Sequence, residues 1–446
     1  MPYTVGMISL GCPKNQVDAE RMLAKLKNAG FEISAEPDQA DAIIVNTCGF
    51  IEDAKREAIE NILEAAQLKE SARLKALIVT GCLAERYQQE ILDEMPEVDV
   101  VAGIGADGDI VRLVGEALSG KSYCEVPDKY RLPLDGERLL TTPPHWAYLK
   151  ISDGCSNRCA YCAIPYIRGN MRSRTMENVM EEARRLVASG VKELILVAQD
   201  TTRYGEDLYR ESRLPELLQE LCELKGLHWI RLLYCYPDRI SDRLLDTIAS
   251  QPKVLPYIDL PLQHADSAVL RRMNRKGSPE ELLALLEKIR KRLPDVVIRT
   301  TVMTGFPGEG EKEFETLSAF VEQAEFDRLG CFAYSPEEGT PAAGFPDQVE
   351  EEIKKSRGEL IMQQQYVIFD RKNQSRVGRI YEVVVDGFDG ESGLYFGRTY
   401  MDAPEIDSNV FFSSEIPLDP GMFVPVRIAG TQGYDLTGER AEATEA

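Results

Sequence analysis

Short apolar runs alternate with helix-length amphipathic stretches over most of this chain, and that alternation admits one broad architecture, parallel sheets wrapped by helices. "YTVGMISL" precedes "NQVDAERMLAKLKNAG", in which Val17, Met22, Leu23 and Leu26 approximate a helical stripe ended by Gly30. "DAIIVNTC" then leads into "FIEDAKREAIENILEAAQ", and "KALIVTGC" into "LAERYQQEILDEM". After these three rounds the proline-rich "YCEVPDKYRLPLDGERLLTTPPHW" reads as a linker. From Ala147 six further strand candidates follow, "AYLKIS", "ELILVA", "WIRLLY", "YIDLPL", "VVIRTTVM" and "DRLGCFAY", separated by stretches such as "MENVMEEARRLVASG". Right-handed crossovers between them would curl the sheet into an incomplete, TIM-like (βα)6 barrel with its site at the strands' C-terminal ends. The amphipathic "EEEIKKSRGELIMQQQYVIFDRKNQ" leaves that barrel, and beyond about Gln374 short strands broken by Gly, Asp and Pro predict a small all-β barrel. The expected chain is thus α/β in three domains, over 1–120, 141–372 and 374–440.

At 446 residues there is room for two or three separate cores. No run of about 18 apolar residues suggests a transmembrane helix, and "MPYTVGMISLGCPKN" lacks a signal peptide's basic head and cleavage site. A cytoplasmic location without membrane association is therefore expected. Under reducing conditions ten cysteines serve poorly as disulfides, and those that cluster point to metal. The net charge of −22 would repel a phosphate backbone and suits a basic protein partner better.

Two sets of three cysteines stand out. Cys155, Cys159 and Cys162, in "DGCSNRCAYCAIP", directly follow the first barrel strand, at the mouth where such a barrel does its chemistry. No fourth Cys or His lies nearby to complete a zinc site, whereas three thiolates suit a 4Fe-4S cluster with one iron left open. Cys12, Cys48 and Cys82, in "LGC", "NTC" and "TGC", each end a strand of the first segment just before the next helix. A parallel sheet would bring all three to one edge, where helix N-termini favour thiolates, and a second cluster is expected there. Cys124, Cys222, Cys235 and Cys331 read as small hydrophobes, and His264 as polar packing or a mouth residue.

"GCSNRCAYCAIP", with Tyr161 between its last two cysteines, resembles the signature of the radical S-adenosylmethionine enzymes, and the six strand–helix units resemble their partial barrel. The resemblance implies that the open iron chelates the methionine moiety of S-adenosylmethionine, whose reduction yields a 5′-deoxyadenosyl radical. With a second cysteine triad and a small C-terminal barrel, the whole chain resembles the methylthiotransferases, which join such an N-terminal domain, a radical core and a TRAM domain. That family adds a methylthio group to an inert C–H position using two 4Fe-4S clusters, with the auxiliary one implicated in sulfur delivery. An external electron donor and a sulfur source are implied.

Within that family "SLGCPKNQVDAE" is similar to the branch that modifies the β-carbon of an aspartate in small-subunit ribosomal protein twelve, the RimO family; tRNA-modifying relatives tend to carry Gln-Met-Asn after the first cysteine. "AQDTTRYG" also resembles that branch and offers Gln199 and Asp200 as polar contacts to S-adenosylmethionine. Arg299 is a candidate for its carboxylate, since a guanidinium matches a carboxylate in two-point geometry. Gly305, in "GFPGE", is similar to the family's adenine-side turn. Residues 376–440 hold eleven acidic side chains, among them Glu382, Asp386, Asp389, Glu391, Asp402, Glu405 and Asp407, against five arginines and no lysine, the right sign for a basic ribosomal protein and the wrong one for tRNA. The rival readings are a tRNA adenosine methylthiotransferase and, in another class, a non-catalytic iron–sulfur docking protein.

Overall fold

A computed structural model describes residues 3–442. The N-terminal unit comprises β1 (Thr4–Ser9), α1 (Pro13–Asn28), β2 (Glu32–Ser34), β3 (Ala42–Thr47), α2 (Glu52–Ser71), β4 (Ala76–Gly81), α3 (Cys82–Tyr87), β5 (Val100–Ala102) and β6 (Tyr123–Glu125), among shorter pieces. Its sheet runs β2-β1-β3-β4-β5-β6, every pair parallel. β3 and β4 are buried along their whole length, which is why they read as unbroken apolar runs instead of alternating ones. The three strands absent from the sequence reading, β2, β5 and β6, have three residues each, too few to show a period.

Six parallel strands form the middle sheet: β7 (Trp146–Lys150), β8 (Glu193–Val197), β9 (Trp229–Leu232), β10 (Val254–Asp259), β11 (Val297–Thr304) and β12 (Arg328–Ala333). They lie side by side in chain order, in an open sheet. The long helix α4 (Glu351–Gln374) packs along β12. The C-terminal unit closes as a five-stranded barrel in the order β13 (Ile380–Asp389), β14 (Leu394–Arg398), β15 (Val410–Ser413), β17 (Asp435–Arg440), β16 (Phe423–Gln432).

This small barrel sits against the N-terminal ends of the middle strands, opposite the cysteine-bearing mouth. One apolar cluster joins Trp146, Tyr148 and Trp229 to Val384, Val410 and Phe412. Buried ion pairs frame it: Glu193, the first residue of β8, receives Arg231 at 2.8 Å and Arg398 at 2.7 Å, while Arg398 also holds Asp386. Asp402 pairs with Arg328 and Asp407 accepts the Tyr257 hydroxyl at 2.6 Å. These contacts revise the expectation drawn from the acidic C-terminal stretch. Asp386, Asp402 and Asp407 face the protein's own interior, because a closed barrel must neutralise whatever polar groups its docking face buries. Glu382, Asp389 and Glu391 lie on the outer side, with Glu382 beside His228.

The proline-rich segment does more than link. Its Arg138, almost fully buried, bridges Glu20 of α1 at 2.5 Å and Glu182 of the middle unit at 2.6 Å. Burial of Glu182 opposes its ionisation, but Arg138, Arg174 and Arg21 outweigh this and hold it at about 2. Its contribution is therefore complete above the ordinary glutamate value near 4.5 and is lost as pH falls through about 2. We expect this group to contribute about 2 kcal/mol of acid sensitivity between pH 6 and pH 3, read as the difference between wild type and Glu182→Gln in urea unfolding at those two values. Parallel pH profiles for the two proteins would show that Glu182 does not carry it.

Candidate functional site

The three N-terminal cysteines stand at the C-terminal ends of adjacent strands. Cys12 is the N-cap of α1 and Cys82 opens α3, whereas Cys48 leaves β3 four residues before α2 begins, so only two of the three are at helix starts. The strand ends are laced together by backbone-seeking side chains. The Asn15 amide donates to the carbonyls of Leu10, Asn46 and Thr47, and Thr47 donates to Thr80 O at 2.6 Å while accepting from Leu83 N. Gly11 adopts φ +86°, and a Cβ there would lie 2.9 Å from Cys48 Sγ, so the turn carrying Cys12 is pressed directly onto Cys48.

Burial, then the neighbouring Cys82 and Cys12, push the Cys48 thiol up to about 12. Burial and Cys12 likewise raise Cys82, against the pull of Arg168. Cys12 moves the other way: burial opposes ionisation, but Lys14, Arg168 and the amides that open α1 bring it below the usual thiol value. Two buried thiols raised by burial and by their neighbouring thiols, beside a third that is lowered, form a donor set whose ionisation a cationic group would relieve, which is the chemistry an iron–sulfur cluster would offer.

The second triad lies on the loop after β7. Cys155 N donates to Gly169 O at 3.0 Å, and Cys162 N to Cys159 O at 3.1 Å, so the loop is folded back on itself. Burial, with Asp200 and Cys159 nearby, raises Cys155 to about 11, and burial with Cys159 raises Cys162 further. Two residues that the sequence reading missed complete this site. Arg275 approaches Cys159 Sγ at 3.9 Å and the Tyr161 hydroxyl at 3.5 Å, and the Tyr236 hydroxyl is 3.9 Å from the same sulfur. Arg275 lies more than a hundred residues from the motif, beyond the reach of any spacing argument. Among the described residues no three His, Cys, Asp or Glu groups converge closely enough to hold a metal ion as they stand.

Gln199, Asp200 and Gly305 follow strand ends at this mouth, whereas Arg299 lies toward the small barrel. Gln199 donates to Asp153 at 3.1 Å and leaves its own buried oxygen without a partner. Asp200 accepts from Asn157 of the cysteine loop at 2.8 Å and caps the turn at Thr202. Gly305 has φ +71°, and a Cβ there would meet Lys354 Cγ of α4 at 2.1 Å. Arg299, near the start of β11, pairs with Asp259 at 3.1 Å and with Asp407 of the small barrel at 3.5 Å. His264 is fully buried between Glu309 and the Asp266 amide, which is polar packing. Cys222 and Cys235 lie within the apolar core.

One buried junction joins the two triads. Arg168 donates to Asp18 of α1 at 2.9 Å, to Asp153 at 3.1 Å and to Asn15 at 3.2 Å, and it acts on both Cys82 and Cys12. Lys150 of β7 reaches the same two carboxylates. The sulfur-bearing edge of one sheet and the mouth of the other are thereby held face to face.

Comparison with known proteins places this geometry. Residues 4–103 match "Uncharacterized protein family UPF0004", 149–321 the radical SAM superfamily and 377–440 the TRAM domain. The ribosomal protein uS12 methylthiotransferase RimO of Desulforamulus reducens is 51% identical over 98% of this chain and 100% of its own length. That of Acetivibrio thermocellus is 49% identical over 98% of each. The chain belongs to the RimO family. As a RimO-family chain with a radical SAM core it is an enzyme, a methylthiotransferase, and that core implies S-adenosylmethionine and a [4Fe-4S] cluster. Among solved structures, the radical S-adenosylmethionine methyltransferase TsrM from Kitasatospora setae shares the fold at TM-score 0.54 and 14% identity, over 74% of this chain and 72% of its own. Among the described residues no helix is long and apolar enough to cross a membrane.

Proposed function

We propose that this RimO-family chain is a cytoplasmic enzyme that adds a methylthio group to the β-carbon of an aspartate in ribosomal protein uS12, using two [4Fe-4S] clusters. Cys155, Cys159 and Cys162 hold the cluster that, when bound, supplies the electron for reductive cleavage of S-adenosylmethionine. Cys12, Cys48 and Cys82 hold the auxiliary one. The observation that carries the reading is the Arg168 junction: Arg168 acts on Cys82 and Cys12 of one triad and binds Asp153, two residues before Cys155 of the other.

The chain's own residues have distinct parts in it. Gln199's oxygen, unpartnered among the described residues, offers an acceptor to the cofactor's amino group. Asp200 positions the cysteine loop through Asn157, Tyr161 is held by Arg275 beside Cys159, and Gly305 lets α4 close over the mouth. Arg299 lines the lumen with a guanidinium shared between two carboxylates. Outward-facing Glu382, Asp389 and Glu391 suit a basic ribosomal protein, and the residual negative field disfavours tRNA. An external electron donor and a sulfur source complete the requirements.

The test is to incubate the reconstituted, reduced enzyme with uS12 and with tRNA separately and to weigh each product. A gain of one methylthio group on uS12 alone is expected. A gain on tRNA alone would overturn the substrate assignment, and absence of any 5′-deoxyadenosine would favour a non-catalytic docking protein.

A further inference from the structure

Lys14 is a buried cation beside Cys12, and among the described residues no carboxylate pairs with it. It is 6% exposed, and its ammonium lies 3.3 Å from the centroid of the Tyr234 ring. Among the described residues it makes no ion pair with Asp or Glu; the groups that act on it most are Tyr234, Cys12 and Arg168. Most neighbouring buried cations are matched by carboxylates, whereas Arg275, like Lys14, has none among the described residues and stacks over a tyrosine ring, that of Tyr236. Lys150 and Arg168 have Asp18 and Asp153, Arg138 has Glu20 and Glu182, and Arg275 donates to Pro261 O at 2.7 Å. A buried ammonium loses its hydration, which the Tyr234 face and the Cys12 sulfur offset only in part when no carboxylate stands opposite.

Its position is as telling as its charge. Lys14 follows Cys12 by two residues, on the auxiliary side. Tyr234 holds its ring beneath the ammonium from a left-handed backbone, φ +59°, which a tyrosine rarely adopts. Two residues further on, Tyr236 reaches Cys159. Two residues of chain span about 7 Å at most, so the ammonium lies over a segment that leads straight to the core triad. Under the proposed function the reacting carbon lies between the triads, and in an aspartate that carbon is bonded directly to the carboxylate.

We propose that Lys14 binds the side-chain carboxylate of the substrate aspartate and thereby sets the enzyme's preference for an acidic residue. This assignment rests on the uS12 reading. Tyr234 orients the ammonium, and the substrate's anion completes a pairing that the folded chain leaves open.

Equilibrium binding tests it without turnover. Purified uS12, and uS12 with its modified aspartate replaced by asparagine, are titrated against cluster-loaded wild type, Lys14→Met and Lys14→Arg. In wild type the asparagine form should bind about ten- to a hundredfold more weakly, as expected for losing a charge-assisted hydrogen bond. In Lys14→Met the two forms should differ by less than about threefold, and Lys14→Arg should restore most of the discrimination. An undiminished asparagine penalty in Lys14→Met would overturn the assignment and leave Lys14 offsetting the auxiliary cluster's charge alone. Should Lys14→Met fail to load both clusters, Lys14→Gln carries the same comparison. Wild type that neither binds nor methylthiolates uS12 would instead overturn the functional reading beneath it.

Discussion

Replacing Cys155, Cys159 and Cys162 together by alanine will abolish cleavage of S-adenosylmethionine while leaving about four irons per chain, one cubane's worth at the remaining triad. Replacing Cys12, Cys48 and Cys82 will also leave about four irons, but reductive cleavage will persist and methylthiolation of uS12 will stop. The two triads sit on sheets whose main apolar cores are distinct, although Cys82 also packs with Ala163 and Ile167, so neither loop should need the other's metal in order to fold. Iron content, 5′-deoxyadenosine yield and product mass, measured on the same preparations, decide the matter. A folded triple variant stripped of all its iron would rule out two independent sites.

Arg168→Met will destabilise the protein by about 3–5 kcal/mol, because it removes the cation shared by Asp18 and Asp153 and leaves both carboxylates in a buried setting. Lys150 can answer only part of that charge. Arg168 and Asp18 belong to different units, so the loss should separate the unfolding of the N-terminal unit from that of the middle unit. Urea unfolding followed by tryptophan fluorescence reports on the middle unit, since both tryptophans, Trp146 and Trp229, lie there. Far-ultraviolet circular dichroism reports on both units. Arg168→Lys should recover less than half of the loss, since one ammonium nitrogen cannot reproduce the planar fork whose Nη1 serves Asp18 and Asp153 while Nη2 serves Asn15. Unchanged stability in Arg168→Met would mean that the junction is not what holds the two faces together.

The fold was legible where burial makes a strand or helix long and uniform. All six strands of the middle sheet announced themselves as apolar runs, as did β1, β3 and β4; β3, β4, β7, β8 and β9 are buried along their whole length and need no period to be seen, while β1, β11 and β12 are partly open. β15 and β17 were not, since a strand of a closed five-stranded barrel alternates over only four to six residues and looks like the turns around it. The acidic C-terminal stretch misled for a related reason. Composition records the sign of a charge but not the direction in which its side chain points, and Asp386, Asp402 and Asp407 point inward.

By itself the sequence determined the architecture and the chemistry's raw materials. Periodicity set the order of strands and helices, and the spacing in "CSNRCAYC" put three thiols on one loop, because both are local properties of the chain. Only the tertiary structure decided which residues surround those thiols. Arg168, Arg275, Tyr236 and Lys14 carry no local signal, since a buried charge is defined by what it faces, and its partners are set by how two sheets and a barrel pack. That packing placed Arg168 between Asp18 and Asp153 and left Lys14 over Tyr234 without an acid, because the interface between the two units can match a cation only where a carboxylate happens to stand across from it.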